Sequence, residues 1–198
     1  MRGFDRQRAP ALAIRELDAL ASDVVDLFES ALSSSKISPS LLRIEITESV
    51  FMDASDLRVQ HLNELRRLGL QVSVDDFGTG YSNLAYLKHL PVDCLKIDRA
   101  FVRDIESGSA DEVIVKAIIR MAQSLGLSTV AEGVETPEQA RRLRDLGATY
   151  IQGYYFSPPL AADACRRLLT LEPSQVPRNS RLIPVSSSPV AEGAKAAD

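Results

Sequence analysis

The chain has 198 residues, 45% hydrophobic and 25% charged; at ~150 residues per domain this predicts one compact domain with some irregular sequence, and it excludes collagenous, coiled-coil and wholly disordered chains. The formal net charge of −4 gives no electrostatic reason to expect a DNA or RNA polymer as partner. No apolar run approaches the ~20 residues that span a bilayer, and the start Met1-Arg2-Gly3-Phe4-Asp5-Arg6 has no apolar signal core, so a soluble cytoplasmic protein without membrane insertion is expected. The two cysteines, Cys94 and Cys165, and the two histidines, His61 and His89, have no metal-ligand spacing, so any metal here is held by oxygen.

Three segments are expected: an irregular stretch over 1–18, an ordered domain over 19–170, and a disordered tail over 171–198. The tail carries four of the ten prolines and five serines with no aromatic residue, too little apolar surface to offset chain entropy. Within the first stretch only Pro10 to Ile14 is apolar enough for a short strand. Ser22 then caps a helix with Val24, Leu27, Phe28, Ala31 and Leu32 on one face, and a strand follows from Leu41 to Thr47. A second helix, Ser55 to Leu68, stacks Leu57, Leu62, Leu65 and Leu68 and stops at Gly69, leading to a strand from Leu70 to Asp75. After a glycine-bearing loop, Asp76 to Ser82, and a short turn to His89, Val92 to Ile97 reads as a third strand. The longest helix, Ala110 to Leu125, carries Ile114, Ala117, Ile118, Met121 and Leu125 as its buried stripe and stops at Gly126. The strand Ser128 to Glu132 follows. Thr136-Pro137-Glu138-Gln139 starts the next helix, with a Thr cap, Pro at the first position and Gln closing a capping box. That helix ends at Gly147 before a strand from Thr149 to Tyr154, and Ala161 to Leu169 forms a last short helix. Five strands, each followed by a helix, imply an α/β fold with parallel pairing and right-handed crossovers.

Leu68-Gly69, Leu125-Gly126 and Leu146-Gly147 each end a helix and launch a strand. Asp75 and Glu132 lie six residues beyond the first two glycines and Gln152 five beyond the third, so a polar residue falls at the carboxyl end of each strand, where α/β folds place their sites. Glu45 and Lys96 hold the equivalent place on their strands. A single acid at a strand end solvates a loop or caps a helix; five polar residues on one rim ask for more. Glu45, Asp75, Asp76 and Glu132 repel one another and need a cation. Lys96 supplies one positive charge, and carboxylates without thiolate or imidazole suit Mg²⁺ or Mn²⁺ for the rest. A phosphate ester is the natural substrate of such a site. A Schiff-base role for Lys96 is disfavoured, because the surrounding acids keep its pKa high.

Other features read as structural. His61 is expected on a helix surface and His89 at a helix end. Arg141, Arg142 and Arg144 interleave with Glu138 and Asp145 and solvate an outer helix face. Cys94 reads as a small packed core residue. Gly78-Thr79-Gly80 reads equally as a ligand-covering loop or as a turn.

The strings Glu45-Ile46-Thr47-Glu48, Asp75-Asp76-Phe77-Gly78-Thr79-Gly80-Tyr81-Ser82, Leu95-Lys96-Ile97-Asp98, Ala131-Glu132-Gly133-Val134-Glu135 and Gln152-Gly153-Tyr154 together resemble the EAL-domain family of bacterial cyclic di-GMP phosphodiesterases. The likeness runs from about Asp23 to Leu160. It implies a TIM-like β/α barrel and hydrolysis of cyclic di-GMP to linear pGpG with Mg²⁺ or Mn²⁺. By this resemblance Glu45, Asp75, Asp76 and Glu132 are metal ligands, Glu132 doubling as general base; Lys96 contacts the attacking water, and Gln152 lies in the site. The support set is Glu135, with Glu48 anchoring the loop Asp76 to Ser82 and Thr47, Gly78 and Gly80 shaping it. Substrate-binding residues are not identified.

The resemblance also implies departures. A closed eight-stranded barrel takes ~250 residues, and the chain shows about five βα units, so an incomplete barrel without its first strands is expected. The Glu-Ala-Leu triplet of the family does not occur in the sequence, and on a loose alignment of Pro10 to Leu17 Ala11 replaces a metal-binding asparagine. Those departures leave open a non-catalytic module that binds cyclic di-GMP or a protein. An open sheet is expected to leave edges and apolar inward residues uncovered, inviting a second copy or a completing partner.

Overall fold

A computed structural model of the chain describes residues 12–14, 23–48, 56–80 and 87–170. The expected tail, the irregular start apart from residues 12–14, the Ser22 cap, Ser55 and the Tyr81-Ser82 end of the glycine-bearing loop lie outside them. The elements are β1 (Leu12–Ile14), α1 (Val24–Ser35), β2 (Leu42–Thr47), α2 (Asp56–Arg67), β3 (Gln71–Phe77), β4 (Cys94–Ile97), α3 (Arg99–Arg103), α4 (Ala110–Ser124), β5 (Ser128–Ala131), α5 (Pro137–Leu146), β6 (Tyr150–Ile151) and α6 (Ala162–Thr170). All six strands pair in parallel in the order β1-β2-β3-β4-β5-β6. Consecutive strands are neighbours, and helices are described between β1 and β2, β2 and β3, β4 and β5, and β5 and β6, the crossovers parallel pairing requires. Leu12–Ile14, within the first stretch, pairs with Leu42–Ile44 as the first strand. Among the described residues, no helix is long and apolar enough to cross a membrane.

Strand alternation divides the sheet sharply. Ile44, Ile46, Val72, Val74, Leu95, Ile97, Ala131 and Ile151 point to the helix-covered face and are buried in one core with Phe28, Leu62, Leu65, Val115, Ile119 and Leu143. The register places Arg43, Glu45, Gln71, Ser73, Asp75, Cys94, Lys96, Ser128 and Val130 on the opposite face. That face is therefore predominantly polar, which corrects the expectation of uncovered apolar inward residues. The apolar residues of these strands serve the helix side, and Arg43 meets Gln71 at 2.8 Å on the other.

The helix starts follow local chemistry. Ser109 caps α4 by accepting from the Glu112 N–H, and Thr136 and Gln139 form the expected capping box of α5. Three burial expectations are corrected. On α4 the buried residues are Val115, Ile118, Ile119 and Ala122, while Ile114, Ala117 and Leu125 are exposed; two apolar stripes one residue apart share this helix, and the sheet takes the one aimed at β4 and β5. On α1, Leu27 and Ala31 are exposed rather than packed, because the i, i+4 row Val24-Phe28-Leu32 meets the core instead; on α2, Leu57 is exposed while Leu62 and Leu65 are buried. His61 is buried, not on the surface, and its Nδ1 has no hydrogen-bond partner among the described residues. His89 is exposed.

Candidate active site

The carboxyl ends of β2 to β6 bring the chemistry together. Lys96 Nζ, on β4, lies 2.8 Å from Glu45 Oε2, 2.8 Å from Asp75 Oδ1 and 2.9 Å from Glu132 Oε1. Three different strand ends thus supply three carboxylates to one ammonium. Its side chain is 3% exposed, and those of Glu45, Asp75 and Glu132 are 7%, 8% and 15% exposed.

Asp76 should face away from Asp75 if β3 kept its alternation. It does not, because β3 is bulged here: Val74 pairs with Leu95 but Phe77 pairs with Ile97, so Asp75 and Asp76 together oppose Lys96. Asp76 takes a left-handed backbone, φ 52°, a conformation aspartate tolerates better than most residues, and its N–H donates to Asp75 Oδ1 at 3.1 Å. The bulge re-aims the second acid, and carboxylate oxygens of Asp75, Asp76 and Glu132 lie within 4.8 Å of one another.

The loop that follows is held from below. Glu48 is buried, and its Oε2 accepts from the N–H groups of Gly78 (3.0 Å) and Gly80 (3.3 Å). Gly78 is required by space and conformation: its φ is 99°, and a Cβ there would approach the Phe101 ring to 3.0 Å. The loop of Glu132 is pinned by its neighbours: Glu132 N–H donates to Ile97 O, Val134 N–H to Gln152 O, and Tyr155 N–H to Val134 O. Gly153 permits this crossing, since a Cβ would fall 2.2 Å from Val134 N and O. The same crossing ends β6 at Ile151, earlier than the alternation to Tyr154 suggests. Thr47, Glu135 and Gln152 stand exposed at the same ends of the strands, and among the described residues the Glu135 and Gln152 side chains bond to none of the Lys96 cluster.

The electrostatics follow from this packing. For Lys96, burial pushes the ammonium down, but hydrogen bonds to Asp75 and Glu45 and the Glu132 charge outweigh it, so the pKa is raised. Burial pushes Glu132 up, with Lys96 opposing. Asp76 is raised by burial first, then by the neighbouring carboxylates of Asp75 and Asp98. Four carboxylates face one ammonium, all donors are hard oxygens, and three of the acids converge. That donor set fits a divalent cation of the Mg²⁺ or Mn²⁺ kind.

Two contributors were not singled out from sequence. Asp98 caps α3, accepting from Ala100 N–H at 2.7 Å, and its carboxylate is among the groups that raise the Asp76 pKa. Gln139, legible as a capping-box residue, also donates to Arg103 O at 2.9 Å; nothing in the local pattern signals that second bond.

The EAL domain model matches residues 1–159. The chain belongs to the EAL domain family. It is 46% identical over 148 residues to the cyclic di-GMP phosphodiesterase NbdA of Pseudomonas aeruginosa, covering 75% of this chain and 19% of that protein. The chain thus spans about a fifth of that relative's length. Among solved structures it resembles the PaMucR phosphodiesterase in its c-di-GMP complex, with TM-score 0.73, 40% identity, and 78% of this chain and 69% of that one covered. It also resembles the manganese and cy-diGMP complex of Klebsiella pneumoniae BlrP1, with TM-score 0.69, 35% identity, and 75% and 39% covered. EAL domains have a TIM-like barrel fold, and the six parallel strands follow one another in barrel order. The family's solved structures include metal complexes, in keeping with the acidic donor set here.

Proposed function

We propose that this EAL domain is a phosphodiesterase module that hydrolyses cyclic di-GMP to linear pGpG with Mg²⁺ or Mn²⁺. The observation that carries the reading is the buried Lys96 ammonium bound to Glu45, Asp75 and Glu132 with Asp76 alongside. A divalent cation held by Glu45, Asp75, Asp76 and Glu132 would supply positive charge to the phosphate and acidify the attacking water. Lys96 keeps the acids in place, retains its charge beside the phosphate and orients the water. Glu132, pushed up by burial, accepts the water proton as the new P–O bond forms and the ester P–O bond breaks in line. Glu48 fixes the loop of Gly78 and Gly80 over the substrate, and Thr47, Glu135 and Gln152 complete the rim. The buried free thiol of Cys94 suits a reducing compartment, so the cytoplasm is the proposed location.

A second reading, binding of cyclic di-GMP without turnover, is favoured by Ala11 standing where the family resemblance places a metal-binding asparagine. Hydrolysis by the purified chain in Mn²⁺, beside Glu132→Gln, separates the two. Turnover lost in the variant supports the phosphodiesterase; a cooperatively melting chain that binds cyclic di-GMP without cleaving it supports the second reading and overturns the first.

A further inference from the structure

Both loops of the site rest on the same five-residue helix, α3. Gly78, two residues after Asp76 in the loop that follows β3, lies against the Phe101 ring of α3. On the other side Gly133, next to Glu132, lies directly over Arg99. The last residue of α3, Arg103, offers its carbonyl to Gln139 Nε2 at 2.9 Å. The Gln139 amide is buried, and its Oε1 accepts from the N–H groups of Glu135 (2.7 Å) and Thr136 (2.9 Å). One side chain therefore ties the far end of the Glu132 loop to the helix that also meets Gly78.

We infer that Gln139 is a positioning residue: it clamps the far end of the Glu132 loop, at Glu135 and Thr136, onto the end of α3 and so steadies the Glu132 carboxylate against the other acids. The inference rests on the cation-dependent reading proposed above. The helix cap alone needs only an acceptor at this position, and glutamate serves there as well as glutamine. The donor half of the amide is free of the cap and is used on Arg103. The start of the loop is fixed by Ile97 and Gln152, so the clamp governs its other end. A misplacement of about 1 Å at a reacting group can cost on the order of a hundredfold in rate.

The test uses the full chain as wild type, Gln139→Glu, Gln139→Ala and Thr136→Ala. Free Mn²⁺ is followed by electron paramagnetic resonance, turnover of cyclic di-GMP by product formation, and folding by thermal midpoint. Gln139→Glu keeps the cap but loses the donor; it should melt within about 3 °C of wild type, bind Mn²⁺ about fivefold more weakly, and lose about tenfold in kcat with little change in KM. Gln139→Ala should show the same losses with a lower midpoint. Thr136→Ala removes the cap and keeps the Arg103 bond, so its midpoint should fall while its Mn²⁺ affinity holds. Wild-type Mn²⁺ affinity in Gln139→Glu, or equal weakening in Thr136→Ala, overturns the inference. Should Gln139→Glu fail to fold, the Mn²⁺ titration of Thr136→Ala still decides against the clamp if its affinity falls, and for it if the affinity holds while folded Gln139→Ala binds weakly. A wild type that binds Mn²⁺ without turnover refutes the phosphodiesterase and leaves the Mn²⁺ comparison to judge Gln139; a wild type that binds none refutes both.

Discussion

Replacing Lys96 by methionine keeps an unbranched side chain one atom shorter and removes the charge that three carboxylates share. Glu45, Asp75 and Glu132 are 7%, 8% and 15% exposed, so water cannot take over the role of the ammonium. Removing one partner of a buried ion pair costs about 3–5 kcal/mol, because the remaining charge stays desolvated and unpaired. For a domain of this size each kcal/mol shifts the thermal midpoint by about 2–4 °C, so Lys96→Met should melt roughly 6–20 °C lower in EDTA at pH 7.5. Two controls follow from the same cause. The gap should narrow in Mn²⁺, which replaces the missing positive charge, and it should narrow toward pH 4, where the unpaired acids take up protons. In the wild type the Lys96 pKa is raised above 10.5, so its contribution is complete below that value and is lost as pH rises through the folded-state pKa. Calorimetric scans of both proteins across pH measure all of this. A Lys96→Met midpoint within about 2 °C of wild type at pH 7.5 would refute the reasoning.

Gly153→Ala places a methyl 2.2 Å from the Val134 backbone, which no rotamer can relieve; overpacking of this kind costs about 1–3 kcal/mol or more, and urea denaturation should show it together with loss of activity through the displaced Glu132 loop. Glu112 accepts from Gly108 N–H and pairs with Arg142 at 2.7 Å, and the Gly108 bond, then Arg142, hold its carboxyl below the ordinary value of 4.5. The stability it contributes is present above that value and lost as pH falls through the folded-state pKa. Glu112→Gln should therefore melt below wild type at neutral pH and show a shallower decline on acidification, read from midpoints between pH 7 and 3; parallel curves would contradict the assignment.

The parts of the site legible in sequence are those that local pattern controls. A helix ending in Leu-Gly and a strand ending six residues later place Asp75 and Glu132 on the rim, and parallel alternation does the rest. The capping box at Thr136 is equally local. Asp76 is different: alternation sends it to the wrong face, and only a bulge against β4 with a left-handed residue turns it inward. No propensity in Asp75-Asp76-Phe77-Gly78 announces a register shift with a strand seventeen residues away. The buried stripe of α4 failed for a related reason. Its sequence offers two apolar faces, and the choice between them belongs to the sheet. His61 follows the same logic, since its burial comes from packing that its neighbours in sequence do not announce.

Strand alternation gives the two faces of the sheet to different residues, and the inward set is predominantly polar. Here the apolar contacts that hold strands to helices lie wholly on the outer side, and the inner side is free to carry charge. A substitution on that side leaves the helix-side core filled, and its cost is electrostatic: replacing Glu45 or Asp75 unpairs the buried Lys96 ammonium. The residues that give the site its chemistry are therefore also a condition of its stability.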